Sequence, residues 1–276
     1  MSLPRALIVT GSLVVATCSV ANAADFDVYG AAGPGLVAPQ PTSDFVFILG
    51  AGIGTAPSYE GASDYSLTFN PIIDVERFRI PGLIDIGGGP DMGGLTFAPS
   101  FSLAGERIAA DHDDLAGLDD VDTTYALGAR VGYEMLLTDT VRAELYGAAR
   151  YAFGGAEGLI GEVGVDLTAQ LSPQLEITGG PVVAFATEDY MDTYFGVTAA
   201  ESANTGGRLA AYHPSGGIKS AGIKVEARYE FIPDTFINAK ASYSRLVGDA
   251  ANSPIVEAGS EHQFTVGIGL SRRFSL

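Results

Sequence analysis

Tyr65-Ser66-Leu67-Thr68-Phe69-Asn70-Pro71-Ile72-Ile73-Asp74-Val75 decides the fold. Every second residue (Tyr65, Leu67, Phe69, Pro71, Ile73, Val75) is apolar, and between them run Ser66, Thr68, Asn70, Ile72 and Asp74. Successive side chains on a strand point to opposite faces, so the segment has one oily side and one largely wet side. A soluble sheet can present the same alternation. Here it recurs down the chain behind an export signal, and the combination points to the outer membrane.

Working outward, Phe45, Phe47, Leu49, Ala51 and Ile53 form an apolar face opposite Gly50, Gly52 and Gly54, and a shorter strand is expected near Ile80 to Ile86. Leu95, Phe97, Pro99, Phe101 and Leu103 then oppose Thr96, Ser100 and Ser102. From Val121 to Met135 the polar face carries Arg130 and Glu134, and the next segments place Arg142, Glu144, Arg150, Glu162 and Asp166 on the same side. Near the end, Lys224, Glu226, Arg228, Glu230 and Lys240 continue it, and the last strand runs through Phe264, Val266, Ile268, Leu270 and Phe274. Charges on the inner face would be prohibitive in a small dry core. In a hydrated barrel interior they are expected, and their nearly balanced signs suggest ion pairs filling a narrow lumen.

The first 23 residues hold one charge, Arg5, then the apolar run Ala6 to Val15, and end in Ala21-Asn22-Ala23. This is the pattern of a secretory signal peptide, with cleavage expected after Ala23. Thr17 stands before Cys18 where a lipoprotein site wants a small residue, so this single cysteine reads as part of the signal. Its removal leaves no disulfide or thiolate metal site. With Arg5 gone, 14 basic residues face 33 acidic ones, a net charge of −19 that argues against nucleic acid as a partner. No apolar run after residue 23 approaches the roughly 20 residues of a spanning helix, whereas strands need about 9–11.

The expected fold is therefore all-β: a transmembrane antiparallel up-and-down β-barrel at 44–276, behind a signal peptide at 1–23 and a flexible Gly/Pro-rich periplasmic leader at 24–43. Eleven strands can be traced, and bacterial barrels of this kind have an even number, so twelve is expected, with ten as the alternative. The doubtful stretches are Gly82 to Gly94 and Glu188 to Gly217. Short turns at Thr138, Pro173 and Pro233 would face the periplasm and longer connections at 105–120, 188–217 and 248–261 the outside. Tyr59, Tyr65, Tyr151, Phe153, Tyr229, Phe231 and Phe236 read as an interfacial aromatic girdle, and 190–217 as a lid over the mouth.

Several separated segments carry a family resemblance. They are Gly50-Ala51-Gly52-Ile53-Gly54 with Ala56-Pro57-Ser58-Tyr59-Glu60-Gly61, Ser63-Asp64-Tyr65 and Pro71; Gly105-Glu106-Arg107 with Leu115 to Asp122; Tyr190 to Val197; and Leu246 to Val256. In this order they resemble the MipA/OmpV family of outer-membrane proteins over essentially the whole exported chain. The resemblance implies an outer-membrane β-barrel in a Gram-negative cell envelope. It also implies a scaffold that joins a murein lytic transglycosylase to a murein synthase in peptidoglycan growth, while other members are described as adhesins or porin-like proteins. A porin-like solute channel and a surface adhesin are the alternatives to the scaffold. Outer-membrane lipid and lipopolysaccharide are the expected surroundings.

No cofactor is implied. Asp111, Asp113 and Asp114, with Asp119 and Asp120, could hold a divalent cation through hard oxygen ligands, but their spacing matches no EF-hand loop, and a solvated acidic loop is the alternative. His112, His213 and His262 fall near the outer rim, with Ser215 and Ser260 close in sequence, but no nucleophile motif surrounds either serine. Enzymatic activity is not expected.

Overall fold

The computed structural model describes residues 26–28, 44–80, 84–86 and 94–276. The signal peptide, its cleavage site and most of the 24–43 leader lie outside these residues. The strands are β1 (Phe26–Val28), β2 (Phe45–Pro57), β3 (Tyr65–Ile80), β4 (Ile84–Ile86), β5 (Gly94–Ala104), β6 (Thr124–Thr138), β7 (Val141–Gly154), β8 (Gly158–Ser172), β9 (Leu175–Ala186), β10 (Gly217–Ile232), β11 (Thr235–Leu246) and β12 (His262–Ser275). Four short α-helices sit in the long connections: α1 (Glu188–Phe195), α2 (Ala199–Asn204), α3 (Gly248–Ala251) and α4 (Pro254–Ala258). None of the described helices is long and apolar enough to cross a membrane.

Consecutive strands pair antiparallel from β5 through β12, and β12 then pairs with β2 and β2 with β3. Ten strands are of spanning length, from 11 residues in β5 to 16 in β3 and β10, against a requirement of about 9–11. This overturns the expectation of twelve spanning strands in favour of ten. The strand expected at Ile80 to Ile86 is divided: Ile80 ends β3, and 84–86 form the three-residue β4, with Ile84 opposite Ile80. Glu188 to Gly217 hides no extra strand and folds into α1 and α2. One piece of the 24–43 stretch, β1, pairs with β5.

Among the described residues β3 and β5 share no backbone pairing, and the two three-residue strands lie at this seam, β4 on β3 and β1 on β5. The sequence supplies a reason. Pro71 opposes Ala51 in β3 and Pro99 opposes Ala129 in β5. Proline has no N–H to donate and is tolerated at a sheet edge, where one side of the strand has no ladder to complete. Pro181 in β9 has a related effect, because no partners of β8 are in register between Gly164↔Val182 and Leu167↔Gly179.

The outward face is apolar on every long strand: Phe69 is 58% exposed, Ile223 55% and Ile268 57%, while inward Asn70 is 1% exposed. Such a surface has no place in water and suits hydrocarbon. Placing Arg at Ile268, midway along β12, is expected to cost about 2–4 kcal/mol. Folding into lipid vesicles under a urea titration would register this as a lower midpoint, and the inward neighbour Gly267 provides the contrasting face.

The turns follow the expected asymmetry. Thr138↔Val141, Ser172↔Leu175 and Ile232↔Thr235 each close a two-residue hairpin at one end. Asp234 adopts φ 61° after Pro233, a conformation Asp tolerates better than most residues. The long connections gather at the other end. Tight strand contact also explains one inward glycine: a Cβ at Gly52 would come 2.4 Å from the Ile268 carbonyl oxygen.

Candidate functional site: a capped, charged lumen

Inward side chains of the curled sheet meet in ion pairs. Arg130 on β6 bonds the carboxylates of Glu144 and, at 2.8 Å, Asp166, and its guanidinium lies 3.5 Å from the centre of the Tyr146 ring. Arg142 reaches Glu176 at 3.1 Å and Glu134 at 3.5 Å. Arg150 bonds Ser100 at 2.9 Å and faces Glu162 at 3.5 Å, and Lys224 lies 3.3 Å from Asp166. Toward the short-turn end, Arg228 on β10 lies 3.5 Å from Glu76 on β3, a contact between strands far apart in the sheet order. Arg273 joins Glu76 at 2.6 Å. This is the balanced network expected from the alternation, with Asp166, Glu176 and Glu76 as central acceptors.

Between the network and the wall of β2 and β12 lies a cavity of about 210 Å³, lined by Asn70, Thr178, Lys224, Asn238, Lys240 and Thr265 among others. Toward the long connections it is bounded by Pro57, Glu60, Lys219 and Gln263. At the ends of β5, β6, β7 and β9 the inward positions are Ala104, Ala126, Ala152 and Ala186, all at most 4% exposed. Small side chains here leave room for α1, whose Tyr190, Met191, Tyr194 and Phe195 fill the ring and are at most 2% exposed. A second cluster joins Tyr59, Leu115, Leu118, Val197, Leu209 and Ile255. The 190–217 segment is thus a packed lid.

Polar groups lock it. Lys219 Nζ donates to Glu60 at 2.7 Å and the Tyr190 hydroxyl donates to the same oxygen at 3.0 Å, all buried. Arg107 donates to the carbonyls of Tyr194 at 3.0 Å and Thr193 at 3.5 Å, capping the last turn of α1. Burial pulls the Arg107 guanidinium below its ordinary value, opposed by Tyr194 and Glu201. Ser253 donates to the Phe195 carbonyl at 2.7 Å while accepting from Ile255 N–H, so one hydroxyl ends α1 and begins α4. Burial, then Asp64 and Asp114, pushes the Tyr59 phenol up to about 12.

The capping box of α2 ties in the acidic loop. Thr198 accepts from Glu201 N–H, and Glu201 in return accepts from the N–H of Thr198 at 2.8 Å and of Asp119 at 3.0 Å. Burial alone would raise the Glu201 carboxyl, but these donors bring it below its ordinary value. A depressed carboxylate stabilises the fold above its unfolded pKa, and that contribution is lost as pH falls through the folded value. Hydrogen exchange of 198–204 is therefore expected to quicken on acidification through this range, and Glu201→Gln is expected to remove most of the pH dependence.

The sequence candidates are placed as follows. Asp120 accepts from Ala109 N–H at 2.7 Å, Asp119 and Asp113 engage through their backbones with Glu201 and Arg208, and Asp111 and Asp114 sit on the adjoining 3₁₀ turns. Among the described residues these five aspartates do not gather as a ligand set. The group that does is Glu188, Asp192 and His213. His112 lies edge-on to Tyr59, and His262 bonds the Tyr243 hydroxyl at 2.9 Å. Ser260 Oγ bonds the backbone of His262 and not its ring, and Ser215 uses its N–H on Asp249.

Two girdle assignments are corrected. Tyr59 is 4% exposed inside the lid, and Phe236 is 3% exposed, facing inward beneath Arg273 and Arg228. Phe236 stands next to outward Ile237, so parity alone put it inside. The lock formed by Lys219, Glu60 and Tyr190 went unseen, because its members are 130 and 159 residues apart. The signal that could have found it was the set of family-like segments, of which those around Tyr59, Leu115, Tyr190 and Val256 meet in the buried clusters of the lid.

The chain is similar in sequence to known outer-membrane proteins. The proteins named "Putative outer membrane protein YiaT" of Escherichia coli O157:H7 and of strain K12 are each 28% identical to this chain, over 161 and 160 residues. The aligned part is 58% and 57% of the chain and, in both cases, 62% of the curated relative's length. The COG4313 outer membrane channel from Pseudomonas putida F1 superposes with a TM-score of 0.47 at 12% identity, covering 88% of this chain and all of that one. Residues 49–274 match the family of MltA-interacting protein MipA. The chain belongs to that family, the MipA/OmpV family of outer-membrane proteins.

Proposed function

We propose that this protein is a non-catalytic, capped outer-membrane barrel that serves as a membrane-fixed scaffold for murein enzymes. A lytic transglycosylase of the kind named in the family description, and through it a murein synthase, would dock on the periplasmic end. The observation that carries the reading is the buried packing of α1 among the strand ends. A lumen crossed by paired charges and sealed by α1 is a poor solute path, so the barrel's use is to hold a position in the membrane. The two-residue hairpins at the opposite end offer a compact rim to a periplasmic partner.

A second reading, a channel for small polar solutes, draws on the cavity of about 210 Å³ beneath the lid. Planar-bilayer recording separates the two. The scaffold reading expects no single-channel steps and co-purification of the full chain with a murein lytic transglycosylase. Regular conductance steps together with no retained transglycosylase would reverse the assignment.

A further inference from the structure

On the outer surface of the lid, Glu188 and Asp192 stand one turn apart on α1, and His213 approaches them from the returning strand-side segment. His213 Nδ1 lies 2.5 Å from Asp192 Oδ1. A carboxylate oxygen can only accept, so Nδ1 carries a ring proton, and in the neutral imidazole Nε2 then offers its lone pair. That lone pair faces Glu188 Oε1 at 3.5 Å, beyond a hydrogen bond. Two ligands each about 2.0–2.1 Å from one tetrahedral metal stand roughly 3.3 Å apart. The spacing is therefore that of two ligands to a common ion, with Asp192 in the position of the carboxylate that orients a metal-bound imidazole.

We propose that Glu188 and His213 Nε2 bind a divalent transition metal of the zinc type, oriented by Asp192, and that the ion clips α1 to the 205–216 segment across the lid. One imidazole and one carboxylate, with water completing the shell, favour zinc over calcium or magnesium, which take oxygen alone. The site is separate from the aspartate-rich loop at 111–120. It is also independent of the scaffold reading, since it concerns only the external face.

Glu188 and His213 are exposed and Asp192 is half-buried, so substitutions at the three leave the buried lid side chains in place. Titration of the full chain in detergent micelles with Zn²⁺ alone is expected to show one site that His213→Ala abolishes. Asp192→Asn is expected to weaken it by about 10–100-fold, and Glu188→Gln by at least about tenfold. Zn²⁺ is also expected to slow hydrogen exchange across 188–216 in the native chain and not in H213A. Binding that survives His213→Ala, equal binding of Ca²⁺, or no saturable Zn²⁺ binding would each overturn the proposal.

Discussion

Replacing Phe195 with alanine is expected to unseat the lid and, on the scaffold reading, to give intermittent conductance where the native barrel is expected to give none. Phe195 is fully buried in the cluster that holds Ala104, Ala126, Ala152 and Ala186, and its carbonyl is the one held by Ser253. Truncating a buried phenylalanine costs about 3–5 kcal/mol, because the lost burial is joined by a cavity that rigid strand ends cannot collapse into. The strands themselves keep their ladders, so the loss falls on the lid. Limited proteolysis between 187 and 216 should therefore accelerate in F195A while the spanning strands stay protected. An F195A protein as silent and as resistant as the native one would mean that the lid is held elsewhere.

Arg130→Met is expected to destabilise the barrel as a whole. The guanidinium serves Glu144 and Asp166 together and stacks on Tyr146, with about 4% of its side chain exposed. Removing one partner of a buried pair costs about 3–5 kcal/mol, since the carboxylates left behind keep their desolvation without their cation. Lys224 remains 3.3 Å from Asp166 and limits the damage on that side. Urea unfolding in micelles should show a lower midpoint at unchanged slope. The double variant with Asp166→Asn should recover part of the loss, and a cycle with no coupling would remove the pair from the account.

Local alternation made the faces of the long strands legible: Leu67, Phe69 and Ile73 outward, Thr68, Asn70 and Asp74 inward. The ion-paired lumen followed, because Arg130, Arg142 and Arg150 share parity with Glu134, Glu144 and Glu162. Strand number was less legible. Ile80 to Ile86 reads as one strand by period, whereas Ile80 ends β3 and pairs back with Ile84 of β4. Tyr59 and Phe236 show the same limit from another side, since an aromatic near a strand end suits lipid headgroups and a packed interior equally well. The aspartates at 111–120 advertise metal binding by type, while their backbone and carboxylate bonds to Ala109, Glu201 and Arg208 depend on contacts about 11 to 95 residues away.

The seal over the mouth also orders events in time. Tyr190 meets Glu60 across 130 positions, Lys219 meets Glu60 across 159, and Gln263 bonds Gly61 across 202. Contacts of such separation form only after the intervening chain has been brought together, so they come late in folding. Every long connection contributes a piece, and a barrel with one hairpin out of register would present an incomplete ring of alanines to α1. Acquisition of protease resistance by 187–216 would then mark the moment at which membrane assembly has finished correctly, and an inserted but misthreaded barrel would betray itself by a lid that never sets.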